Sequence, residues 1–142
     1  MTRLHTDILV SGGGVAGLTA AVAFGAAGFE VIIVDPAPPV TDGDAPDADI
    51  RTTAFLQPAR ELLDRAGLWT RLEPHSSELQ VMQIIDAGGK DPVAWVNKSF
   101  DAADISDAPF GLNLPNWLLR REMLARLEEL PNVSFRSGVG TR

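Results

Sequence analysis

Cysteine and tyrosine are absent from this 142-residue chain, and histidine occurs twice. Without cysteine there can be no disulfide, no thiol nucleophile and no cysteine-ligated metal. His5 and His75 lie far apart in sequence, and neither accompanies a suitable carboxylate cluster, so neither a Ser-His-Asp triad nor a histidine metal site has a basis here. Basic residues are also few. The 12 Lys and Arg against 19 Asp and Glu give a net charge of −7, and no basic stripe is available to neutralise nucleic-acid phosphates. No apolar run approaches the roughly 20 residues that span a bilayer. Residues 1–6 lead into the first strand without a charged-then-apolar leader. A cytoplasmic protein is therefore expected, with any membrane contact peripheral and with the sequons at Asn97 and Asn132 arising by chance. The 45% of hydrophobic residues is sufficient for the core of one ordinary domain.

The most informative stretch runs from Asp7 to Asp35. Ile8-Leu9-Val10 reads as a strand, Gly12, Gly14 and Gly17 carry the G-x-G-x-x-G spacing, and Val15 to Ala27 reads as a small-residue helix. The three glycines act differently. Gly12 permits the turn out of the strand, Gly14 lets a pyrophosphate approach the backbone, and Gly17 lets the helix pack close to the sheet. Val15 and Ala16 open that helix, whose free N–H groups and positive dipole end suit phosphate. Glu30 to Val34 forms a second strand ending in Asp35. That acid falls a little over twenty positions beyond Gly12, where the fold requires a carboxylate for the adenosine ribose hydroxyls. This is a Rossmann-like βαβ unit in an α/β protein, and its ligand is a dinucleotide.

Pro36 to Asp49 has no periodicity and reads as an exposed loop. Its aspartates Asp42, Asp44, Asp47 and Asp49 lack the glycine position and closing glutamate of a calcium loop. Thr52 or Thr53 is expected to cap a helix with Ala54, Leu56, Leu62, Leu63 and Ala66 on its apolar face, stopped by Gly67. Leu68, Trp69 and Leu72 fold back on the same core, and Pro74 ends the unit. Leu79 to Ile85, a turn at residues 87–91 and Val93 to Val96 read as a β-hairpin outside the first sheet. Residues 98–109 read as a polar loop. Asn116 is expected to cap a helix from Trp117 to Glu129, and Val133 to Arg136 to begin a further parallel strand of the first sheet. Met82 and Met123 are assigned to the core.

Asp49-Ile50-Arg51-Thr52-Thr53-Ala54-Phe55, followed by Leu63, Gly67, Leu68 and Trp69, resembles the D-x-R-x-x-A-L segment and the L-x-x-L-G-hydrophobic-W ending of flavoprotein aromatic monooxygenases, the relatives of para-hydroxybenzoate hydroxylase. Gly111 to Leu124 is similar to the N-x-x-L-(Q/R)-x-x-L segment of the ubiquinone-biosynthesis hydroxylase branch, which acts on polyprenylated phenols. Phe55 stands where the family usually has leucine, a conservative change in volume.

The resemblance implies FAD as the bound dinucleotide and NAD(P)H as co-substrate. It places Asp35 on the adenosine ribose and Arg51 and Arg120 on the ribityl-pyrophosphate side, with Arg121 as the alternative to Arg120. Asp49 would orient the loop or Arg51. The resemblance also implies a small phenolic substrate and O₂, no nucleic acid, and contact with a membrane surface or a ubiquinone-biosynthesis complex; it leaves the oligomeric state open. Residues 1–73 are read as the first part of the FAD-binding domain, 74–110 as a β-hairpin insertion belonging to a substrate domain, and 111–142 as the FAD-binding domain continued and truncated. The second flavin motif of the family, a Gly-Asp segment, is missing from these residues, so they are expected to be an N-terminal portion inactive by itself. A related reductase or halogenase-like flavin enzyme and a non-catalytic nucleotide-binding module are the competing readings.

Overall fold

The computed structural model describes residues 5–88 and 93–141. Strand β1 (Ile8–Ser11) leads through the glycine turn into helix α1 (Val15–Ala26) and strand β2 (Val31–Asp35). Strand β3 (Thr52–Leu56), helix α2 (Gln57–Arg65), the short helix α3 (Trp69–Leu72) and a 3₁₀ turn at Glu73–His75 follow. Next come β4 (Ser77–Leu79), β5 (Val81–Asp86), β6 (Val96–Asp101), β7 (Gly111–Pro115), helix α4 (Asn116–Glu128) and β8 (Val133–Ser137).

Among the described residues the strands form three sheets. The first is parallel, in the order β1-β2-β8, with Ile8 opposite Val31 and Val31 opposite Val133. The chain thus returns through α4 to add the parallel strand expected from Val133 onward, and the α/β fold class holds. The second sheet is antiparallel, β3-β7-β4, and the third is the isolated hairpin β5-β6.

Helices α1 and α4 pack together over the first sheet. Leu18, Ala21 and Val22 of α1, Ile33 of β2, and Leu119 and Met123 of α4 are fully buried. The far end of α1 is set by a missing side chain. A Cβ on Gly25 would lie 2.3 Å from Val133 Cγ2, so α1 touches β8 only because residue 25 is glycine. Asn132 fastens the same corner, its side-chain amide donating to Gly25 O at 2.9 Å and Phe29 O at 2.7 Å.

Several expectations are corrected. Residues 52–56 form a strand, not the first turn of a helix, because they alternate in burial. Phe55 is buried and Thr53 half-buried, while Thr52, Ala54 and Leu56 face out, and the β-branched threonines suit that pleated surface. Pro58 then fits the first turn of α2, where its missing N–H costs nothing. Helix α2 keeps Leu63 and Ala66 inside, and Gly67, at φ +73°, ends it.

The second hairpin strand is Val96–Asp101 rather than Val93–Val96, so part of the expected polar loop is strand; residues 89–91 of the expected turn lie outside the described residues. Met82 is half exposed on this hairpin and is not core, whereas Met123 is. Residues 111–115 are strand β7, with Leu112 and Leu114 facing inward. Among the described residues no helix is long and apolar enough to cross a membrane.

Replacing Gly25 by alanine drives a methyl group into Val133 and should lower stability by about 1–3 kcal/mol. Urea unfolding midpoints check this; an unchanged midpoint would show that α1 and β8 are not held at this separation.

Candidate dinucleotide-binding site

The turn between β1 and α1 is shaped by what its glycines lack. Gly12 has φ +109°, a left-handed conformation that side chains disfavour, and its N–H donates to Val34 O at 2.8 Å. A Cβ on Gly17 would lie 1.9 Å from Gly12 O, which no side chain can occupy. Gly14 is the N-cap of α1; nothing lies within 4 Å of where its Cβ would be, so its backbone faces open space. Val15 and Ala16 form the first turn of α1.

Gly13, between the motif glycines, aims its N–H at Asp35 Oδ2 (2.5 Å), and Ala37 N–H donates to Asp35 Oδ1 at 2.8 Å. These two backbone donors, with a smaller contribution from the Arg120 charge, hold the Asp35 carboxyl below the usual carboxylate value. Asp35 is therefore an oriented anion at the end of β2. Each of its oxygens keeps a second lone pair for a hydroxyl donor.

Asp35, Gly13, Gly14 and Arg120 line one open groove of about 230 Å³, walled on the other side by Ala37, Pro38, Pro39 and Val40. Arg120 reaches it from the second turn of α4. Its Nη2 donates to Asp49 Oδ2 at 3.3 Å, while its Nε is buried with no hydrogen-bond partner. Among the described residues this buried guanidinium N–H has no acceptor, which is costly in a dry protein. Arg121, the alternative in register, stacks over the Trp117 ring at 5.3 Å and donates to Glu122 Oε1 at 2.9 Å, outside the groove lining.

Arg51 is not in the groove. Its side chain is 80% exposed and grips Asp49 through Nε at 2.8 Å and Nη2 at 2.9 Å. Asp49 also accepts from Asn116 Nδ2 at 3.1 Å, so one carboxylate joins Arg51, Arg120 and the start of α4. Arg51 and Asn116 hold the Asp49 carboxyl far below its ordinary value. The family resemblance puts Arg51 and Arg120 on the same side; the structure joins them through a shared carboxylate, Asp49. It also brings in Gly13 and Ala37, which carry no motif signature, and ties Asn116, the asparagine of the N-x-x-L-(Q/R) segment, to Asp49. Asn116 and Arg120 stand four residues apart on one helix face, a spacing that identifies side-by-side partners.

The profile of the FAD binding domain family matches residues 5–141. Ubiquinone hydroxylase UbiL of Rhodospirillum rubrum is 30% identical over 135 residues, an alignment covering 91% of this chain and 28% of that protein. The 3-demethoxyubiquinol 3-hydroxylase of Escherichia coli is 28% identical over 141 residues, covering 96% of this chain and 34% of the relative. Among solved structures, p-nitrophenol 4-monooxygenase PnpA from Pseudomonas putida superposes with a TM-score of 0.70 at 24% identity, over 97% of this chain and 33% of that one. That likeness is one of fold. The chain spans about three-tenths of the length of the curated relatives it matches.

Hydrogen-bond donors hold both carboxyls below their ordinary value in the folded protein. Their contribution to stability is therefore complete above the unfolded value and is lost as the pH falls through the folded one. The stability difference between the wild type and Asp49→Asn should stay constant from about pH 7 to about pH 4 and narrow only as the pH falls further, below the ordinary carboxylate value. Urea titrations at a series of pH values test this, and a difference that widened with acidity would refute it.

Proposed function

The chain belongs to the FAD binding domain family, and on that premise we propose that it is the FAD-holding portion of an NAD(P)H-dependent flavoprotein monooxygenase that hydroxylates a phenolic ring, a ubiquinone precursor foremost. The observation that carries this reading is the convergence of Gly13, Gly14, Asp35 and Arg120 on one groove, in a chain whose curated relatives are ubiquinone hydroxylases.

The residues present suit FAD. Asp35, already oriented by two N–H donors, accepts from the adenosine ribose hydroxyls. The open backbone at Gly14 and the first turn of α1, Val15 and Ala16, receive the diphosphate, where helix N–H groups and the dipole favour negative charge. Arg120, which lines the groove, brings a guanidinium charge to the same region. Arg51, exposed beside Asp49, approaches the ribityl-pyrophosphate side, and guanidinium donors match such oxygens well.

FAD, when bound, supplies the redox and oxygen chemistry; the protein contributes binding, orientation and exclusion of water. This division accounts for a site rich in anion donors. We assign residues 74–110 to the substrate domain. In support, Val81, Met82, Ile84 and Ile85 of β5 expose apolar surface on both faces of the hairpin, which suits burial under further chain.

The complete gene product is the material for the test. After reconstitution it should carry a flavin spectrum, and a phenolic substrate should accelerate NAD(P)H oxidation and acquire one oxygen atom from labelled O₂. A product without flavin absorbance would remove the reading. In the same protein, Arg51→Ala should raise the FAD dissociation constant on the order of ten- to a hundredfold, the range for loss of a charged hydrogen bond. Equilibrium dialysis measures it, and an unchanged constant would take Arg51 out of the site.

A further inference from the structure

We propose that Asn116 is a positioning residue for the cofactor, holding Asp49 so that this one carboxylate gathers Arg51 and Arg120 on the diphosphate side of the site. The inference rests on the FAD reading above and adds to it a residue that touches no ligand.

Asn116 is nine-tenths buried at the first position of α4. Its side chain does not cap that helix, contrary to the sequence expectation; no side-chain cap is formed. Instead the Thr53 hydroxyl donates to Asn116 Oδ1 at 2.6 Å, and Asn116 Nδ2 donates to Asp49 Oδ2 at 3.1 Å. The two bonds fix the orientation of the amide. Turned over, its carbonyl oxygen would face the Asp49 carboxylate, placing two acceptors against each other. The backbone completes the clamp: Asn116 N–H donates to Arg51 O at 2.9 Å, and Trp117 N–H to Asp49 O at 3.2 Å.

Asp49 has two cationic partners of unlike freedom. Arg51 is largely exposed, while Arg120 is about one-fifth exposed and is joined to Asp49 by a single long contact of 3.3 Å. Exposed ion pairs of this kind contribute little to stability by themselves. What fixes Asp49 between the two guanidinium groups is the buried amide and the two backbone bonds. Removing the amide leaves the carboxylate free to follow the more mobile Arg51. Arg120 then loses its anchor beside the groove.

The test uses the complete protein and measures FAD dissociation constants by flavin fluorescence for Asn116→Ala, Asp49→Ala and the double variant. Asn116→Ala should raise the constant about tenfold, and the double variant should be no weaker than Asp49→Ala, because both changes remove one coupled unit. Thr53→Val, which keeps the shape but removes the donor, should weaken FAD several-fold, and Thr53→Ser should restore wild-type affinity. This pair also decides the matter if Asn116→Ala fails to fold.

A readout without FAD accompanies it: in the apoprotein, carbon NMR should show the Asp49 carboxyl titrating at higher pH in Asn116→Ala than in the wild type. Fully additive effects of the two alanine changes, equal affinities for Thr53→Val and Thr53→Ser, or an unmoved Asp49 titration would each overturn the inference. If the wild type itself binds no FAD, the functional reading falls and this inference falls with it; if it binds FAD and Asn116→Ala binds equally well, the inference alone falls.

Discussion

The backbone oxygen of Gly12 occupies the place where any side chain at residue 17 would have to begin, 1.9 Å from an ideal Cβ. That contact fixes how far α1 can slide toward β1. The other end of the helix is set in the same way by Gly25 against Val133. Between these two close approaches the helix lies low on the sheet, with Leu18, Ala21 and Val22 sealed from solvent. Because α1 is pinned at both ends, the turn before it has little freedom, and the Gly13 N–H can meet Asp35 at the end of the neighbouring strand. The geometry of the groove thus follows from two close glycine approaches, helped by the Asn132 amide at Gly25 and the Gly12 N–H at Val34.

The two carboxylates that matter are compensated differently. Asp35 is satisfied by backbone dipoles that belong to the fold, so its charge is oriented and still open to further donors. Asp49 is satisfied chiefly by side chains, two of them cationic, with one weaker backbone donor from Arg51. The Asp49 carboxylate restrains the long side chains of Arg51 and Arg120 and so removes rotamer freedom from both.

The first βαβ unit was legible because every constraint in it is local: the glycine spacing, the small residues of α1 and the acid after β2 act on neighbours in sequence. The parallel return through α4 to β8 was legible from a helix period followed by a β-branched start at Val133. Residues 52–56 were not. A five-residue run of Thr, Ala, Phe and Leu fits both periods, and the partner that decides for strand is β7, on the other side of the hairpin, where Thr52 meets Pro115 and Phe55 meets Leu112. Asn116 was misread for the same reason. Local rules favour a cap, whereas its amide is engaged by Thr53 and Asp49, which lie 63 and 67 positions away along the chain. The boundary of β6 shifted because polar residues such as Asn97 and Ser99 can form a strand when both hairpin faces are exposed, so no hydrophobic pattern marks its start.

The loop from residue 36 to 49 looked like a solvated connection, and its composition supports that reading, but its ends and middle are tied. Ala37 N–H bonds the Asp35 carboxylate at one end, and Asp49 O accepts from the start of α4 at the other. Near its middle, a side chain on Gly43 would lie 2.7 Å from the Trp117 ring, so the loop crosses α4 where only glycine fits. Pro38 and Pro39 restrict the backbone between the first tie and this crossing, and both wall the groove. A wall held at three points and stiffened by proline is in place before a ligand arrives, which lowers the ordering cost of binding. The same helix α4 therefore supplies Arg120 to the groove, Asn116 to Asp49 and Trp117 to the loop, so a shift of its first turn moves the donor, its anchor and the opposing wall together.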